Sequence, residues 1–163
     1  MAELAIFQVL LNHPRLAGSL NDLLAIMLWH GKLDSRLREL AIMRIAWLTA
    51  SEYEWTQHWR VAQGLGVSAD DLVGVREWRS HNGFGPTEQA VLAATDDVVR
   101  DGEVSEQSWA ACRQSFGADQ AMLVELVTAI SAWRMVASIL RSLGVPLEDD
   151  VAGWPPDGRS PLG

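Results

Sequence analysis

Residues 37–58 read LRELAIMRIAWLTASEYEWTQH, a long, mostly apolar run, a three-residue link and a mixed polar/aromatic segment. Leu37, Leu40, Ala41, Ile42, Ile45, Ala46 and Leu48 recur at helical spacing, with Asp34 or Ser35 placed as the N-terminal cap. Beyond its first turns this helix is apolar nearly all round, which predicts burial on more than one face. The link Thr49-Ala50-Ser51 is short, so the next helix, Glu52 to about Gln63, is expected to fold back antiparallel. Gly64-Leu65-Gly66 closes that second helix.

Working outward, the periodicity stays helical. Leu4, Ile6, Phe7, Leu10 and Leu11 mark a first helix, broken at His13-Pro14. A helix from Pro14 to about Trp29 follows, with Gly31 as its stop. After the central pair, Ser68 caps a helix to about Trp78, and Arg79 to Pro86 reads as the longest internal loop. Thr87 is expected to cap a helix running through Arg100, and Ser105 caps another, Glu106 to Ser115. The last and longest helix spans about Ala118 to Leu143 and stops at Gly144 and Pro146. No strand-like alternation and no Gly-rich phosphate loop is visible. The expectation is an all-α, single-domain helical bundle of seven to eight helices over residues 1–145. Residues 146–163 form a Pro/Gly-rich, irregular C-terminal tail, either mobile or lying across a partner.

Composition sets the outer bounds. The 163 residues are 48% apolar and carry a formal charge of −8, which suits one folded domain. Twelve of the thirteen basic residues are Arg, and no Lys/Arg-rich run appears, so nucleic acid and anionic membranes are disfavoured as partners. Met1-Ala2-Glu3 shows no basic start of a leader, and no uninterrupted apolar window approaches the ~18 residues of a membrane span. The single cysteine, Cys112, excludes an internal disulfide framework and fits a reducing, cytoplasmic setting. Eight tryptophans stand against one Tyr and three Phe, an excess common in pockets and interfaces.

Chemistry is sought where polar residues sit in apolar surroundings. Glu39 lies on the buried helix, and Glu54 and His58, four apart, share a face of the next. A carboxylate at that spacing can fix a histidine tautomer for acid/base work, or form an ordinary surface pair. Arg44 either clamps a substrate carboxylate or pairs with Glu39 or a neighbouring subunit, and pairing is favoured. His30, Glu39, Glu54 and His58 are suitable metal ligands by type. The single E-x-x-x-H pair, however, lacks di-iron spacing, so no metal is expected. His13 and His81, beside helix breaks, read as solvated. Leu126, Ile130 and Trp133 on the last helix suit a subunit interface.

The stretch quoted above resembles the signature of the carboxymuconolactone decarboxylase family, which includes the alkylhydroperoxidase-D-like proteins. Its redox branch carries a Glu, then, twelve residues on, Cys-x-x-Cys-x-x-x-His. Here Glu39 matches the Glu, Ser51 and Glu54 fall at the two cysteines, and His58 matches the His. The resemblance covers about residues 1–145 and implies the alkylhydroperoxidase-D-like fold. Without the cysteine pair, thiol peroxidase chemistry of the family type is not expected.

The decarboxylase branch works without metal or organic cofactor, so the resemblance implies a cofactor-independent lyase or isomerase. Its substrate would be a small oxygenated or aromatic, polyketide-like carbonyl compound. In that reading His58 carries the proton, Glu54 tunes or shares it, and Glu39 orients the imidazole. Ser51 would hold a carbonyl or a water, and Trp47, Trp55 and Trp59 would wall the pocket. The family's protomers associate, so a homo-oligomer is expected; an oligomeric scaffold without catalysis is the competing reading.

Overall fold

The structure is a computed structural model, and it describes residues 4–117 and 119–162. The leader reading of Met1–Glu3 and the proposed start of the last helix at Ala118 fall outside those residues. The described chain forms eight α-helices and no strand: α1 (Ala5–Leu10), α2 (Pro14–Trp29), α3 (Ser35–Thr49), α4 (Glu52–Gly64), α5 (Ala69–Gly74), α6 (Pro86–Asp101), α7 (Glu106–Phe116) and α8 (Gln120–Ser142).

Helix starts follow the short polar side chains. Asp34 Oδ1 accepts the N–H groups of Arg36 and Leu37 at 2.9 and 3.2 Å, so Asp34 is the cap of α3. Ser68, Ser105 and Asp119 cap α5, α7 and α8 in the same way. Two boundaries differ from the sequence reading. The fifth helix ends at Gly74 and continues as a 3-10 segment, Val75–Ser80, whose Glu77 leaves helical geometry at φ −132°, ψ 52°. The sixth helix begins at Pro86 itself, since proline at the first helical position gives up only an N–H that has no intrahelical partner.

The character of α3 explains the architecture. Ten consecutive residues, Leu37 through Ala46, are buried. Leu37, Ala41, Ile42 and Ile45 enter a core shared with α1, α2, α6 and α8, whereas Leu40, Met43 and Ala46 enter a second core with α4 and the 3-10 segment. A helix with two buried faces cannot be amphipathic, hence its nearly continuous apolar run. The turn back into α4 is made by Ala50, a non-glycine residue at φ 53°.

Helix α8 is long and apolar enough by length and composition to cross a membrane, with mean hydropathy 1.6, yet half of that window is buried within the bundle. Leu126, Ile130 and Trp133 point into this chain's own core, which corrects their reading as a subunit interface. The tail is irregular, but it is docked on its own chain. Trp154 is buried beside Trp55, whose indole N–H donates to Pro155 O at 2.7 Å, and Asp157 accepts both terminal nitrogens of Arg76 at 2.8 and 2.9 Å.

Candidate active site

His58 projects from α4 toward α3 on one side and α8 on the other. Its Nδ1 lies 2.7 Å from Glu39 Oε2, and its Nε2 accepts the indole N–H of Trp133 at 3.1 Å. An indole can only donate, so Nε2 is an acceptor and the ring proton belongs on Nδ1, shared with Glu39. The two rings meet edge-on, with centroids 5.9 Å apart.

Glu39 is fully buried and faces two partners. Burial alone would push its carboxyl up, but His58 and the Arg38 guanidinium outweigh that and hold it below the usual carboxylate range. Arg38 Nε and Nη2 reach Glu39 Oε1 at 3.1 and 3.0 Å, and its Nη1 donates to the carbonyls of Met27 and Leu28. Every nitrogen of this buried arginine is thereby engaged.

Glu54 is the odd member. It is 2% exposed, and neither carboxyl oxygen has a hydrogen-bond partner. Burial pushes its pKa well above the ordinary value, opposed only weakly by the nearby Ser51 hydroxyl, which also makes no well-formed hydrogen bond. The carboxyl is therefore favoured in its uncharged form.

Glu54, His58, Arg38 and Trp133 all line one cavity of about 700 Å³, which α1 and α2 roof with Ile6, Phe7 and Leu24. The roof is tied to the tail. Glu148 Oε1 accepts the Ala5 N–H at 3.1 Å and the Tyr53 hydroxyl at 2.7 Å, and Gln57 Nε2 donates to the same carboxylate.

The structure thus brings Glu39, Glu54 and His58 into one place, but the other candidates lie elsewhere. Trp47, Trp55 and Trp59 do not line the cavity. Positions 55 and 59 sit one residue, about 100°, around α4 from 54 and 58, on the face toward the second core. There the Arg76 guanidinium lies over both Trp47 and Trp55, 4.7 and 4.8 Å from their ring centroids, and the two indoles pack against Trp154 of the tail. Arg44 pairs with neither Glu39 nor any substrate position; its Nε and Nη2 reach Asp96 at 2.6 and 3.2 Å, and Nη1 donates to the Val75 and Arg76 carbonyls. Ser51 is buried beside Glu54 without lining the cavity. His81 is not solvated: its Nε2 lies 2.9 Å from Asp71 Oδ1 and its ring packs on Phe84.

Sequence reasoning missed Arg38, Tyr53, Gln57 and Trp133. Tyr53 and Gln57 carried a usable signal, being four apart on the flank of the Glu54/His58 face. Trp133 carried only the general one that a buried indole N–H wants an acceptor. Among the described residues no group of three or more His, Cys, Asp or Glu side chains is arranged to hold a metal ion. Cys112 is fully buried on α7, and burial pushes its thiol up to about 11.

The sequence pattern described as the Carboxymuconolactone decarboxylase family matches residues 14–97. No curated protein matches the chain. Among solved structures, a protein of unknown function from Agrobacterium tumefaciens, linked by its name to AhpD antioxidant defence, superposes with a TM-score of 0.79 at 16% identity; the match covers 87% of this chain and 97% of that one. An uncharacterized peroxidase-related protein from Ralstonia eutropha JMP134, with an alkylhydroperoxidase AhpD core, gives 0.78 at 16% identity over 90% of this chain and 78% of its own. A peroxidase-related protein from Silicibacter sp. TM1040 gives 0.79 at 10% identity over 90% and 77%. At these identities the likeness is one of fold.

Proposed function

The chain belongs to the carboxymuconolactone decarboxylase family, and from that premise we propose that it is a cofactor-independent lyase or isomerase. Its chemistry is proton transfer at His58 on a carbonyl compound held in the α1/α2/α4/α8 cavity. One observation carries the reading: the buried Glu39 carboxylate fixes the His58 ring at 2.7 Å with Nε2 turned to the cavity side, against Trp133. An imidazole with its proton on Nδ1 and a carboxylate behind it is a competent base at Nε2. In catalysis a substrate proton replaces the Trp133 N–H at Nε2, Glu39 stabilises the imidazolium that forms, and the proton returns to another atom of the substrate. Arg38 balances the charge of Glu39 throughout. In this reading Glu54, whose carboxyl burial pushes toward the protonated form, donates a hydrogen bond to a substrate oxygen.

The peroxidase names of the structural neighbours do not transfer to this site. Ser51 and Glu54 occupy the positions of the family's cysteine pair, and the lone thiol of Cys112 lies on a different helix. A ligand-binding protein without turnover is the second reading, favoured by the occupation of Nε2 by Trp133. The apolar residues left exposed along α2, Leu16, Ile26 and Trp29, support association with further copies in either case.

The test is exchange. A panel of enolisable ketones, keto acids and lactones is incubated with the protein in D2O, and loss of the proton beside the carbonyl is followed by NMR. Protein-dependent exchange of any member supports the lyase or isomerase reading. Exchange no faster than in buffer for all of them overturns it.

A further inference from the structure

The ligand class of the same cavity can be read from its wall, taking the cavity to be the site proposed above. The buried polar groups differ sharply in what they have left to offer. Arg38 is the buried cation of the wall, but Glu39 neutralises it and its nitrogens are spent on Glu39, Met27 O and Leu28 O. His58 has both ring nitrogens engaged. Of the buried polar groups in the wall, Glu54 is the one left unsatisfied: both carboxyl oxygens are buried without a hydrogen bond, as is the hydroxyl of Ser51 beside it, which does not line the cavity. Buried polar atoms in folded proteins are almost always paired, so an orphaned carboxyl in a cavity wall marks the place where a ligand's polar group completes the pairing.

Most of the remaining wall is apolar, contributed by residues such as Phe7, Leu24, Val136 and Leu140, with Ser35, Tyr53, Gln57 and Arg60 as its other polar members. An ionised ligand head would lose its hydration there and meet no free buried cation. The unpaired cation of the lining, Arg60, is exposed on the solvent side, and the tail carboxylate of Glu148 stands against the lining residues Tyr53 and Gln57. A volume of about 700 Å³ also exceeds what a small diacid fills and lies within the range of pockets that take larger organic ligands.

We propose that the cavity binds an uncharged, predominantly apolar molecule whose single polar head, a carbonyl or hydroxyl oxygen, hydrogen-bonds to the carboxyl of Glu54. The apolar remainder lies along the α1/α2 roof and the α8 floor. Charged analogues of the same length are rejected because nothing buried compensates their charge.

The experiment compares two probes of matched shape, methyl nonyl ketone and decanoate, by equilibrium dialysis against the intact protein at neutral pH. The ketone should bind at least roughly tenfold more tightly than decanoate. Glu54→Gln, which keeps an uncharged hydrogen-bonding head, should leave ketone affinity within about threefold, whereas Glu54→Leu should weaken it about tenfold. Equal or tighter binding of decanoate, no binding of the ketone, or unchanged ketone affinity in Glu54→Leu overturns the proposal. Should Glu54→Leu fail to fold, the ketone-to-decanoate ratio in the wild type and in Glu54→Gln still decides it. The readout is binding, so it separates from the acid/base reading. Preferred binding of decanoate together with protein-dependent exchange would refute the ligand class and keep the catalyst; ketone binding without any exchange would do the reverse.

Discussion

Trp133 and His58, 75 positions apart in the chain, are joined by a 3.1 Å hydrogen bond in which the indole N–H occupies the Nε2 lone pair. The bond sets the tautomer of the histidine from the far side of the cavity while Glu39 sets it from behind. Replacing Trp133 by Phe keeps an aromatic ring and removes the donor. The 15N spectrum of His58 should then change from a ring protonated at Nδ1 to a mixture of tautomers, and stability should fall by about 1 kcal/mol. An unaltered His58 spectrum would mean that Glu39 alone fixes the ring.

Glu39 stands in the opposite position, as a charge whose removal strands another. Glu39→Gln leaves the Arg38 guanidinium buried without its counter-ion and takes the carboxylate from His58 Nδ1. Breaking one side of a buried ion pair is expected to cost about 3 kcal/mol, measured as a shift in urea midpoint at neutral pH. Because the folded Glu39 pKa is depressed, its stabilisation is present above the ordinary carboxyl value and lost as pH falls through the folded one. The wild type and Glu39→Gln should therefore converge in stability on acidification.

Glu54 has the reverse sign. Its folded pKa lies above the unfolded one, so between the two values the native state holds a proton that the unfolded state has released. Stability then falls as pH rises through that window, by about 1.4 kcal/mol per pH unit for one proton. Glu54→Gln removes this slope. Denaturation at about pH 5 and about pH 7 should show the variant gaining on the wild type as pH increases. Parallel pH profiles for the two proteins would contradict the uncharged state of Glu54.

The tail supplies an acid-sensitive contact away from the cavity. Hydrogen bonds from Arg76 hold Asp157 down at about 2, so the pair is intact above the ordinary value of 3.8 and lost as pH falls toward the lower one. Acidification across that interval should release the tail before the helices melt, read as a change in emission from Trp154 and its neighbours Trp47 and Trp55. Asp157→Asn should abolish that step.

The parts of the molecule that were legible in the sequence are those set by local pattern. Continuous apolar spacing from Leu37 to Leu48 and a short link made α3 and α4 antiparallel partners, and the i,i+4 relation of Glu54 and His58 put both in one cavity. What was hidden depends on contacts between distant segments. Arg44 meets Asp96 across 52 positions, and Trp55 meets Pro155 across 100, so neither partner is visible from spacing. Proximity in sequence suggests that the tryptophans next to the motif wall the pocket, whereas a shift of one helical position turns Trp55 and Trp59 toward the second core. The tail itself has no helical pattern to read, because its hold on the bundle comes from scattered contacts of Glu148, Trp154, Pro155 and Asp157 rather than from a periodic face.

If His58 moves protons in this cavity, the exchange rate of the fastest-exchanging carbonyl compound must depend on it, and that rate is measured with wild type and with His58→Gln. Both proteins are first shown to share a helical spectrum and melting behaviour. Loss of the base should lower exchange by roughly a hundredfold or more. Exchange by His58→Gln at the wild-type rate would contradict it.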